Sequence, residues 1–125
     1  MAVLLVADDD PAVRTYLVTV LQRDGHVVTE VGDGQAALDA IRDADFDLVV
    51  LDVHMPKLTG LEVLERLREA GREVRAIVLT GDETPDTVIG AAERQAVRYL
   101  SKPIRPDTLT AQVHAALSEK LPGRP

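Results

Sequence analysis

Four short apolar runs in this chain each end in residues that can do chemistry. Val3-Leu4-Leu5-Val6-Ala7 runs into Asp8-Asp9-Asp10, and Leu48-Val49-Val50-Leu51 runs into Asp52. Ala76-Ile77-Val78-Leu79 is followed by Thr80-Gly81, and Tyr99-Leu100-Ser101 by Lys102-Pro103. If the runs are neighbouring strands of a parallel sheet, their polar termini emerge at one edge, where open α/β sheets bind ligands. Carboxylates, a hydroxyl and an ammonium converging there form a site for a hard cation and a phosphoryl group.

Asp8, Asp9 and Asp52 are the acidic part of that constellation. Crowded carboxylates raise one another's pKa unless a cation neutralises them. An all-oxygen donor set favours Mg²⁺ or Mn²⁺ over zinc. Read alone, Asp8-Asp9-Asp10 is a helix-start cluster answering the helix dipole, which accounts for Asp10 but not for Asp52. A carboxylate such as Asp52 can serve as a covalent nucleophile and form an acyl phosphate. Thr80 and Lys102 supply a hydroxyl and a point charge for phosphoryl oxygens. Gly81 permits close backbone approach, and Pro103 holds Lys102 extended.

The elements that position these groups alternate along the chain. Strands are expected over 3–7, 27–31, 47–52, 76–80 and 97–101. Between the first two, Asp10-Pro11 reads as an N-cap and first-turn proline, and Val13, Leu17, Val20 and Leu21 recur at helical spacing up to a stop at Gly25. Gly32-Asp33-Gly34 reads as a turn before a short helix carrying Ala37, Leu38 and Ile41. A loop from Met55-Pro56 to Gly60 leads to a third helix with Leu61, Leu64 and Leu67, ending near Gly71. A fourth helix is expected over 86–96, with a thin apolar face, and a fifth from Pro106-Asp107 with Leu109, Val113, Ala116 and Leu117 inward. Strands alternating with helices in this way predict an α/β fold, a doubly wound five-stranded parallel sheet with five helices. Residues 1–118 form one domain, and 119–125 a tail or the start of a linker.

Composition narrows the function. Apolar residues make up 46 % of the 125, but aromatics only 2 %, so the core is aliphatic, as suits a parallel sheet covered on both faces. A net charge of −7 argues against a nucleic-acid surface. With no cysteine, disulfides and thiolate metal sites are out. The apolar runs are too short for a bilayer, and no signal segment precedes the first strand; a cytoplasmic protein with no membrane contact is expected.

Taken together, Asp8-Asp9, Asp52 with Met55-Pro56 and Gly60, Thr80-Gly81, and Tyr99 before Lys102-Pro103 resemble the receiver domain of two-component response regulators, over residues 2–118. The resemblance implies a flavodoxin-like receiver architecture. It implies that Asp52 accepts a phosphoryl group from a sensor histidine kinase or a histidine phosphotransfer domain. Asp9, Asp52 and the backbone carbonyl of His54 would ligate Mg²⁺, with Asp8 acting through water. Lys102 would bind a phosphoryl oxygen, and its bond to Pro103 would be cis. Thr80 and Tyr99 would form the switch, Thr80 swinging inward and Tyr99 turning from exposed to buried. The face remodelled would be the fourth helix, fifth strand and fifth helix, serving an output domain or protein; phosphorylation-dependent homodimerisation is a family expectation. Such a domain is not an enzyme on an external substrate and promotes only its own phosphorylation and dephosphorylation.

Some positions depart from the family pattern. His54, two residues after Asp52, and Asp82, two after Thr80, are expected to tune the phosphoryl lifetime. Gln95 stands where a glycine commonly ends the fourth helix, and Ile104 where many relatives carry an aromatic. His26 and His114 fit no ligand cluster in the sequence and receive no function. An aspartate-dependent phosphohydrolase would carry an acid/base carboxylate where His54 stands. A flavodoxin-like cofactor binder would need a phosphate loop where Asp8-Asp9-Asp10 would repel one. A degenerate scaffold is disfavoured because every acceptor-site position is filled.

Overall fold

The computed structural model describes residues 1–81 and 96–118. Its strands are β1 (Val3–Ala7), β2 (Val27–Val31), β3 (Leu48–Asp52), β4 (Arg75–Thr80) and β5 (Ala96–Ser101), all parallel, in the order β2-β1-β3-β4-β5. The described helices are α1 (Pro11–Arg23), α2 (Gly34–Asp43), α3 (Gly60–Glu69) and α4 (Pro106–Ser118). Of the helix expected over 86–96, residues 86–95, Gln95 among them, lie outside the described residues, as do Asp82 and the tail 119–125, whereas Ala96 opens β5 instead of closing that helix.

Strand alternation divides the core into two layers. Leu5, Ala7, Val49, Leu51, Ala76 and Val78 face the side covered by α2 and α3. Leu4, Val6, Leu48, Val50, Ile77 and Leu79 face α1 and α4. Successive strand side chains point to opposite faces, so a strand buried on both sides must be apolar at every position. That requirement explains the unbroken runs in the sequence. β2, at one edge, is only partly buried and accordingly carries Thr29 and Glu30.

The helix starts follow capping chemistry. Asp10 accepts from the amides of Ala12 and Val13, with Pro11 at the first helical position. Thr59 and Glu62 form a reciprocal capping box on α3. Gly34 departs from the sequence expectation: it opens α2 instead of closing a turn, because Asp33 caps the helix through the amide of Ala36 at 2.7 Å. Gly25 and Gly71, just past α1 and α3, have φ of +91° and +73°, the left-handed conformation that ends helices. No described helix is long and apolar enough to cross a membrane.

Candidate functional site

Parallel register carries the chemical residues to one edge. Ala7 pairs with Leu51 and Asp52 with Leu79, so Asp8 and Asp52 leave adjacent strands side by side. Strand order reverses between β1 and β3, and the crevice at such a switch point is the binding position of doubly wound sheets. Thr80 pairs with Ser101, and the Lys102 amide donates to the Thr80 carbonyl at 2.8 Å, which brings Lys102 beside them. The Lys102–Pro103 bond is cis.

Oxygens of Asp8, Asp9 and Asp52 lie within 4.8 Å of one another. Asp8, Asp52 and Thr80 are buried, whereas Asp9 is exposed at the mouth. Lys102 Nζ donates to Asp8 Oδ2 at 2.8 Å and stands 3.2 Å from Asp52 Oδ2. The amide of Asp10 donates to Asp8 Oδ1 at 2.9 Å, and that of His54 to Asp52 Oδ1 at 3.4 Å. Burial pushes the Asp52 carboxyl up from its ordinary value; the charge of Asp8 adds to this, and Lys102 opposes it. Burial pulls Lys102 down, but the two carboxylates outweigh it and hold the ammonium above its ordinary range. Among the described residues, Lys102 pairs with two of the three clustered carboxylates, Asp8 and Asp52, so the pocket has room in charge for a divalent cation, and the clustered donors are all oxygen. The residues fit a magnesium-type ion.

The loop after β3 is fastened where it borders the pocket. Met55 and Leu58 are buried in the core, the Gly34 amide donates to the Pro56 carbonyl, and Lys57 reaches Asp33 at 3.7 Å. At Gly60 an added Cβ would collide with the backbone oxygen of Asp52 and come within 3.3 Å of Leu51 Cβ. Gly60→Ala is therefore expected to lower stability by about 2 kcal/mol through overpacking, read as a shifted urea midpoint. An unchanged midpoint would mean that the loop yields freely.

His54 is exposed in this loop, and Tyr99 is half-buried on β5. Arg14 has no signal in the sequence: its Nη1 donates to the Asp8 carbonyl at 2.7 Å while Nε pairs with Glu30 at 3.1 Å. One turn into α1, nothing in its spacing distinguishes it from a solvated arginine. His26 and His114, to which the sequence assigns no cluster, come together with Asp24 at the opposite edge of the sheet. Their wide separation along the chain hides this.

A family model described as "response regulator receiver domain" matches residues 4–114. The DNA-binding transcriptional regulator NtrC of Azospirillum brasilense is 38 % identical over 121 residues, covering 97 % of this chain and 25 % of that protein. The response regulator MprA of Mycolicibacterium vanbaalenii is 40 % identical over 119 residues, covering 95 % of this chain and 52 % of that one. The chain thus spans about half, or less, of the length of these curated relatives. Among solved structures, response regulator TrrA of Thermotoga maritima, in complex with Mg²⁺–BeF, superposes with a TM-score of 0.82 at 30 % identity, covering 93 % of this chain and 99 % of that one.

Proposed function

The chain belongs to the response regulator receiver domain family, and from that premise we propose that Asp52 is its phosphoacceptor, served by Asp8, Asp9, Thr80 and Lys102. The observation that carries this is the pair of buried carboxylates, Asp8 and Asp52, held 2.8 and 3.2 Å from one lysine at the sheet's switch point.

A carboxylate oxygen of Asp52 attacks the phosphorus of a phosphohistidine. The P–N bond breaks, its electron pair returns to the imidazole nitrogen, and that nitrogen takes a proton. The donors implied by the family are a sensor histidine kinase or a histidine phosphotransfer domain. Lys102 Nζ, already between Asp8 and Asp52, is placed to pair with a phosphoryl oxygen, and the Thr80 hydroxyl to donate to another. Asp8, Asp9 and Asp52, with the His54 carbonyl, are the groups that would hold Mg²⁺ or Mn²⁺. When bound, such an ion neutralises carboxylate charge and the charge of the incoming phosphoryl oxygens. The TrrA complex with Mg²⁺–BeF supports that assignment by likeness.

Thr80 and Tyr99, on the adjacent strands β4 and β5, are the proposed switch pair. Filling the pocket draws Thr80 toward the phosphoryl group and Tyr99 inward, biasing the face formed by β5 and α4. An output domain or protein reads that face, and phosphorylation-dependent dimerisation is one way of reading it. The protein acts on no external substrate and promotes only the gain and loss of its own phosphoryl group. Residues 1–118 are the receiver unit, 119–125 a tail or linker start, and the cytoplasm its proposed location.

Intact-protein mass after incubation with acetyl phosphate tests the proposal. One phosphoryl adduct is expected with Mg²⁺ and none with EDTA. Adduct formation in EDTA would count against the metal assignment, and an adduct mapping away from Asp52 against the acceptor. His54 and Asp82 are proposed to tune adduct lifetime. The exposed imidazole of His54 is placed in this reading beside the path of attacking water, so His54→Ala should change the decay rate severalfold; decay unchanged from the parent chain in both His54→Ala and Asp82→Ala would remove this role.

A further inference from the structure

The geometry points to a second metal site, for Zn²⁺ or a neighbouring borderline divalent ion, formed by Asp24, His26 and His114 at the sheet edge opposite the acidic pocket. It stands independently of the receiver reading. Asp24 and His26 flank the turn from α1 into β2, where β2 begins, and His114 lies on α4 as that helix runs back toward the same edge. One carboxylate oxygen and two ring nitrogens from these residues lie within 4.8 Å of one another. Asp24 Oδ2 is 2.7 Å from His114 Nε2 and 3.3 Å from His26 Nε2. The two rings meet edge-on, 6.0 Å between centroids.

The independent observation is His26 itself. Its side chain is only 6 % exposed, and its Nε2, aimed into the cluster, makes no hydrogen bond among the described residues. The approach of Asp24 at 3.3 Å lacks hydrogen-bond alignment, yet it matches two donors sharing an ion. Donors each about 2.0–2.2 Å from a tetrahedral zinc sit roughly 3.3–3.5 Å apart. Two imidazoles and one carboxylate suit borderline ions, whereas Mg²⁺ selects the all-oxygen pocket. A pocket lined by Met1, Ala2, His26, Asp47, Arg75 and His114 opens the cluster to solvent, which gives an entry path and room for a water ligand.

Coordination has a definite proton balance. The Ala2 amide donates to His26 Nδ1 at 3.1 Å, which places the proton of the neutral ring on Nε2. Binding through Nε2 transfers that proton to Nδ1, so the Met1–Ala2 peptide turns to present an acceptor. Met1 is 94 % exposed and leaves the peptide room to do so. His114 likewise exchanges its contact with Asp24 for the ion and carries its ring proton on Nδ1. The ion then ties α4 to the end of α1.

Untagged protein titrated with ZnCl₂ in excess MgCl₂ should bind one equivalent, moving the Ala2 amide resonance together with the ring signals of His26 and His114. His114→Ala, at a side chain 64 % exposed and so marginal to folding, should weaken binding at least about 100-fold, the upper end of what losing an outer-shell partner costs. Asp24→Asn should do the same, and Asp9→Asn, which alters the acidic pocket alone, should leave the zinc affinity of this cluster unchanged. Zinc binding that survives His114→Ala and Asp24→Asn, or that Asp9→Asn or Mg²⁺ abolishes, would locate the ion elsewhere and overturn the proposal. Absence of binding at millimolar Zn²⁺ would overturn it equally.

Discussion

Asp52→Asn is expected to take up no phosphoryl group from acetyl phosphate and, at the same time, to melt higher than the parent chain. Both effects come from one carboxylate. The amide that replaces it is not a usable nucleophile, so the adduct should disappear, not merely slow. For stability, the sign follows from the titration. Burial and Asp8 hold the Asp52 carboxyl above its ordinary 3.8, so the native state binds that proton more readily than the unfolded chain. Stability from this group therefore grows as pH falls through the raised value, and at neutral pH the charged group is a cost. Asparagine removes the cost while leaving Lys102 paired with Asp8 at 2.8 Å. A gain on the order of 1 kcal/mol, about 4 °C in Tm, is expected at pH 7 without metal. The gain should shrink as pH falls and as Mg²⁺ is added, because protonation or the cation relieves the parent chain by another route. Loss of the adduct together with a drop in Tm would mean that the substituted amide disturbs the pocket's packing, and the acceptor assignment would then need the adduct mapped by peptide. An adduct that persists in Asp52→Asn would end that assignment.

The same tension explains which parts of the molecule the sequence exposes. A strand buried on both faces admits no polar residue until it leaves the sheet, so Asp52, Thr80 and Lys102 mark strand ends as well as the site. The parallel sheet makes the two coincide. Helix starts are legible for a similar reason: Asp10-Pro11 answers unpaired amides that any helix must expose. Gly34 misleads because glycine serves turns and close approaches alike, and only the carbonyl of Leu58 lying against it separates them. Arg14 is not legible, since its partner is a backbone carbonyl as well as a side chain on another element. The Asp24, His26 and His114 cluster is hidden more deeply. It depends on where α4 lies against the end of α1, a tertiary fact with no local spacing.

Lys102→Met should be the most damaging single change in the acidic pocket. Lys102 Nζ contacts Asp8 and Asp52, whose side chains are 0 % and 7 % exposed. Removing one partner from a buried ionic cluster leaves charge uncompensated, which costs far more than the intact cluster contributes. A loss of about 3 kcal/mol is expected at pH 7 in EDTA, where the methionine retains the apolar stem but not the ammonium. The raised pKa of Lys102 means that its stabilisation is complete below the ordinary 10.5 and lost only as pH rises through the raised value. The whole effect is therefore present at neutral pH. In the variant, Asp52, whose carboxyl burial already pushes up, loses the ammonium that opposed that shift, so the deficit should narrow as pH falls. Saturating Mg²⁺ should narrow it too, because a divalent ion held by Asp8, Asp9 and Asp52 restores counter-charge. Phosphorylation should stay poor even then, since the ion cannot replace the ammonium on the phosphoryl oxygen. Urea unfolding with and without Mg²⁺, paired with adduct yield, separates the two roles. A deficit indifferent to both pH and Mg²⁺ would show that Lys102 holds the fold by packing alone, and the electrostatic account of the pocket would fail.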